Sequence, residues 1–202
     1  MERRRQPAKR AAPGGLKSVA PTLLQLRIEL QWLKPPIWRR LLVPHNITLA
    51  KLHQVLQIAM GWTDTHLHEF WIGEARYGVP DPEWGSAEVI PEKRNTLAQA
   101  LIPGIKAFTY VYDFGDNWQH KVRVEKIVDN ELAVPAPICV QGANRCPPED
   151  IGGPPGYAEF LQALADPGHE QHDEMLERSG ESFDPTEFDV DAVNERLLKR
   201  KR

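Results

Sequence analysis

Cysteine is almost absent from this chain of 202 residues: it has two, Cys139 and Cys146. Two are too few for a disulfide scaffold, and the six residues between them miss the spacing of a zinc knuckle, so both are expected as free thiols in a reducing compartment. No apolar run approaches the ~18 residues of a membrane span, and no apolar segment follows the basic start "MERRRQPAKRAAPGG". These two absences predict no spanning segment and no secretory signal, and a cytoplasmic protein with no membrane partner. Serine is scarce as well, at positions 18, 86, 179 and 182, and none stands in a nucleophile elbow. With no Walker loop and no GxGxxG, nucleotide hydrolysis and dinucleotide binding lack their signatures.

What is present is unevenly placed. The net charge of −3 conceals six basic residues against one acidic in residues 1–20, and fourteen acidic against one basic from Glu149 to Glu195. The basic tail could meet nucleic acid loosely through phosphates, or the protein's own acidic surface. Residues 1–20 have too few large apolar side chains to offset the entropy of ordering, so a disordered tail is expected there, followed by a single domain over 21–202.

Within that domain "LLQLRIELQWL" alternates, with Leu24, Leu26, Ile28, Leu30 and Trp32 on one side. Such alternation predicts a half-buried strand, with "IWRRLLVP" as its partner. Thr48 can cap "LAKLHQVLQIAMGW", whose apolar residues recur at helical spacing until Gly61. "HLHEFWIG" returns to a strand, a passage from Gly78 to Pro91 reads as an edge excursion, and "TLAQAL" as a short helix. "KAFTYVYDFGDNWQHKVRVEKIV" is the clearest hairpin. The segment "PAPICVQGANRCPPEDIGGPPG" is too rich in Pro and Gly for a regular element, and three short helices are expected after it, the last starting at Asp184-Pro185. The order predicts an α+β fold: a largely antiparallel sheet, an amphipathic helix packed on it and a helical carboxy-terminal third.

Three stretches carry groups suited to chemistry. In "YDFGDNWQH", parity places Trp118 and His120 on the core face with Val122, while Asp113 and Asp116 flank the turn glycine. Either aspartate alone would serve to cap a turn. "HLH" lets His66 and His68 point to one side of a strand, and "PPEDIGGPPG" holds Glu149 and Asp150 in a rigid loop. If the segments meet, His66, His68, Asp113, Asp116, Trp118, His120, Glu149 and Asp150 line a polar pocket. His66, His68, Asp113 and His120 are then candidate ligands for a divalent metal, and Glu149 and Asp150 candidate catalytic bases. The helical spacing of His169 and His172 could also suit a metal, though a solvated acidic face is the simpler reading.

"GWTDTHLHEF", "YDFGDNWQH" and "PPEDIGGPPGY", in this order, resemble the Ri-plasmid open-reading-frame-three family, also labelled insertion-element passenger TnpR, over roughly Thr22 to Glu195. The resemblance implies a compact α+β domain of uncharacterised function, found in bacteria, archaea and mobile elements. It singles out His66, His68, Asp113, Gly115, Asp116, Trp118, His120, Pro148, Glu149, Asp150 and Gly153. The resolvase label does not fit these residues: no serine sits in a recombinase setting, and the HxxR pattern of His120 and Arg123 lies on a strand, where the two face opposite sides. Two function classes follow. One is a non-enzymatic binding or accessory module for a protein or nucleic-acid partner; the other is a divalent-metal-dependent hydrolase.

Overall fold

The computed structural model describes residues 22–80, 88–130, 136–180 and 182–199. The expected disordered basic tail over 1–20 falls outside these residues. β1 (Thr22–Leu30), β2 (Trp38–Pro44), β3 (His68–Ile72), β4 (Ala75–Gly78), β5 (Ile90–Pro91), β6 (Ala107–Tyr112), β7 (Trp118–Asp129) and β8 (Ile138–Ala143) form one sheet. Its order is β5-β4-β3-β6-β7-β1-β2-β8. Every neighbouring pair is antiparallel except β4 with β5. The fold is α+β, as the sequence predicts.

The alternation in β1 buries Leu24, Leu26, Ile28 and Leu30, and the same parity in β6 and β7 buries Tyr110, Tyr112, Trp118, His120 and Val122. Helix α1 (Leu49–Met60) packs its apolar stripe into this core; Thr48 accepts from the Lys51 amide at its start, and Gly61 closes it at φ 95°. β1 ends before Trp32, which takes φ 63° and is 65 % exposed, so the inward alternation does not extend to it. His120 is buried and Arg123 exposed, in keeping with their opposite parity on β7.

The carboxy-terminal third holds α3 (Gly153–Ala165), α4 (His172–Ser179) and α5 (Val190–Lys199), while α2 (Leu97–Ala100) is a single turn closed by a capping box from Thr96 and Gln99. Three expectations need correction here. The Pro/Gly-rich segment contains a strand, β8, because pairing with β2 and the side chain of Asn194 on α5 satisfy its backbone: Asn194 accepts from the Cys139 amide (2.7 Å) and donates to its carbonyl (2.8 Å). This covers the sheet edge against further pairing. The last helix starts at Val190, not near Asp184: Asp184 holds the Thr186 amide in a separate turn, and Asp189 accepts from the amides of Asp191 and Ala192. His169 precedes α4 and takes the Gln171 amide, while His172 bonds Ala163 O, so the two do not share a helix face. Both cysteines are buried and free. Among the described residues no helix is long and apolar enough to cross a membrane.

Candidate functional site

The three sequence stretches converge at the end of the sheet where β3, β6 and β7 meet the loop before α3. Trp62, just past α1, donates to Pro147 O (2.9 Å) and lies against Tyr112, Trp118 and His120, with ring centroids 5.1, 5.9 and 5.2 Å away. Glu149 is the clasp. Its carboxylate accepts from the Thr63 amide (2.9 Å), the Thr63 hydroxyl (3.3 Å) and the Tyr112 hydroxyl (3.1 Å). Burial, and then the adjoining Glu149 charge, raise the Tyr112 phenol above its ordinary pKa. Asp116 accepts from the Gly152 amide (3.1 Å), tying the hairpin turn to the same loop.

Gly153 shows how close that approach is. It has φ 69°, and a Cβ there would stand 2.4 Å from Asp116 O. Gly153→Ala is expected to cost about 2 kcal/mol or more, because it combines a left-handed backbone with a clash against a carbonyl. The corresponding fall in Tm is about 4–8 °C, measurable by thermal denaturation; an unchanged Tm would mean the loop does not press on the hairpin.

Among the described residues, donor atoms of His, Asp, Glu and Cys come together in two groups. In the first, His66 Nε2 lies 3.0 Å from Asp150 Oδ1 and 3.7 Å from Asp113 Oδ2. Asp113 Oδ1 is occupied by the amides of Gly115 and Asp116, which turns Oδ2 towards the histidine. His66 Nε2 is buried and makes no hydrogen bond among the described residues, so despite the short distances its ring is not aligned on either carboxylate. Asp113 and Asp150 both take φ 55°, a region that aspartate tolerates better than most residues.

The second group is more enclosed. His53 Nε2 meets Asp64 Oδ1 at 2.6 Å, its Nδ1 meets the Tyr110 hydroxyl at 2.8 Å, and Gln57 donates to that hydroxyl at 3.0 Å. These bonds are all satisfied with His53 neutral, Nε2–H donating to Asp64 and Nδ1 accepting from Tyr110. His68 Nε2 meets Glu92 Oε2 at 2.8 Å, and the rings of His53 and His68 stack at 3.4 Å with 2° between their planes. An imidazole binds metal along its in-plane lone pair at about 2.0–2.1 Å. Two parallel rings 3.4 Å apart cannot both aim such a lone pair at one ion, so this stack does not suit metal as it stands.

The chain matches the model of the plasmid pRiA4b ORF-3-like protein family over residues 22–192. It belongs to that family. The uncharacterized protein y4hQ of Sinorhizobium fredii is 41 % identical over 173 residues, covering 86 % of this chain and 87 % of that protein. A crystal structure of a protein of unknown function from Methanosarcina mazei Go1 superposes with a TM-score of 0.78 at 36 % identity, covering 85 % of this chain and 97 % of the other.

The structure thus divides the candidate residues of this family member. His66, Asp113 and Asp150 share one set of donor atoms, with Glu149, Asp116 and Tyr112 holding the surrounding backbone. His68 turns instead to His53 and Glu92. His120 is enclosed between Trp62 and Tyr110, with Nδ1 3.2 Å from Tyr110 O; among the described residues its Nε2 has no partner, and Trp118 Nε1 is likewise buried and unpaired. Sequence reasoning passed over His53, Gln57 and Asp64. The available signal was polar residues on the apolar stripe of α1: His53 and Gln57 follow Leu49 and His53 at four-residue intervals.

Proposed function

We propose that the chain is a binding module whose polar sheet end holds a divalent first-row metal ion through His66 Nε2, Asp113 Oδ2 and Asp150 Oδ1. Its open coordination positions would accept an oxygen from a protein or nucleic-acid partner. The observation that carries this reading is the buried His66 Nε2, which makes no hydrogen bond among the described residues yet lies 3.0 and 3.7 Å from two carboxylate oxygens. Ligands about 2.1 Å from one ion stand roughly 3.0–3.4 Å apart at octahedral or tetrahedral angles, close to the spacing here. One nitrogen and two carboxylates suit zinc, manganese or iron. Hydrolysis has one point in its favour, since three protein ligands leave positions for water. It also needs a base, and Glu149 is engaged by Thr63 and Tyr112 while Asp150 belongs to the ligand set. Binding without catalysis is therefore the reading adopted.

Titration calorimetry of chelator-treated full-length protein with zinc and with manganese tests it. One ion per chain is expected, with affinity reduced tenfold or more in Asp150→Asn and in His66→Gln. Asp150 is exposed, and asparagine tolerates its positive φ, so Asp150→Asn should keep the wild-type Tm. No binding, or wild-type affinity in both variants, would overturn the proposal.

A further inference from the structure

A cavity of about 400 Å³ opens between the end of α1, the loop before α3 and the helices α4 and α5. That volume lies in the range of small-molecule sites. Its wall carries four arginines, Arg39, Arg145, Arg178 and Arg196, against two carboxylates, Glu187 and Asp189. Both acids have work already: Glu187 pairs with Arg145 at 3.1 Å, and Asp189 caps α5.

Arg39 is the unusual member. It occupies a core-facing position of β2 and is 3 % exposed, yet no carboxylate pairs with it among the described residues. Its Nε donates to Ala59 O (2.8 Å) and its Nη1 to the carbonyls of Trp38 (2.8 Å) and Ala143 (2.9 Å). These bonds fix the guanidinium over Phe188 at 4.1 Å, but among the described residues they leave Nη2, with two N–H groups, bonded only to the thiol of Cys146 at 3.8 Å. A buried cation with donors to spare on a cavity wall calls for an anion. Arg178 lies on the same wall and donates to Asp150 O, and Arg196 makes no ion pair among the described residues. Ile58, Met60 and Val193 supply an apolar wall.

We propose that this cavity binds the dianion of a phosphate monoester. The phosphate sits on the Nη2 edge of Arg39 between Arg178 and Arg196, and the organic part lies against Ile58, Met60 and Val193. Planar guanidinium edges match phosphate oxygens in pairs, and the wall's excess of two positive charges matches a dianion better than a monocarboxylate.

Calorimetry on the full chain with phenyl phosphate, inorganic phosphate and benzoate tests the site. Phenyl phosphate is expected to bind one to one, inorganic phosphate to bind more weakly in competition with it, and benzoate to bind at least tenfold more weakly than phenyl phosphate. Arg196→Gln and Arg178→Gln, both at exposed positions and so expected to fold, should each weaken phenyl phosphate about tenfold. No saturable binding, benzoate as tight as phenyl phosphate, or unchanged affinity in both variants would overturn the proposal.

Discussion

Between pH 6.5 and 4 the folded state is expected to lose most of its stability, through two buried histidines. Burial lowers the pKa of His120 from 6.5 to about 4, its Nε2 having no acceptor among the described residues. His53 is lowered to about 4 chiefly by burial and then by the adjoining His68, against the opposing pull of Asp64. A histidine whose folded pKa is depressed stays neutral in the fold, while the unfolded chain takes up a proton. Its contribution is therefore complete above pH 6.5 and lost as pH falls towards 4. At about 1.4 kcal/mol per pH unit, each group accounts for roughly 3 kcal/mol, comparable in sum to the whole stability of many domains. Urea denaturation at pH 7, 6, 5 and 4.5 should show stability falling steeply, and His120→Leu should reduce that slope by about half. A flat profile over this range would show that the two rings are not held neutral.

Glu92→Ala is expected to cost about 3–5 kcal/mol, the range for breaking a buried ion-paired or strongly hydrogen-bonded partner. Glu92 is 4 % exposed and receives His68 Nε2 at 2.8 Å. Its removal leaves that nitrogen without an acceptor, opens a void beside the His53–His68 stack, and frees the turn that carries it. Glu92→Gln keeps the shape and should lose less than half as much. Chemical denaturation at pH 7.5 checks both; a loss under 1 kcal/mol for Glu92→Ala would show that His68 finds another partner at no cost.

Local periodicity made most of the fold legible. Leu24 to Leu30 alternate because one face of β1 is buried, and the stripe of α1 repeats because one side lies on the sheet. β8 was not legible, since what makes Cys139 part of a strand is its pairing with Leu41 of β2 and the bonds to its outer edge from Asn194, 55 residues away, both remote in the chain. The site was legible in its parts and not in its pairing. "HLH" offers His66 and His68 together, yet His68 lies in β3 while His66 precedes that strand, so the pair need not share a face, and the two turn to different carboxylates. Arg39 carried a signal that went unread: in "WRRLLVP" it shares parity with Leu41 and Val43, so a strand that buries those two buries the arginine as well.

The convergence of His66, Asp113 and Asp150 on one cation is tested most directly by anomalous diffraction from crystals of the full-length protein grown with zinc or manganese. A peak about 2.0–2.2 Å from His66 Nε2, Asp113 Oδ2 and Asp150 Oδ1 is the predicted result. A map with no peak there, or with the ion held instead between His53, Asp64 and His68, would contradict it.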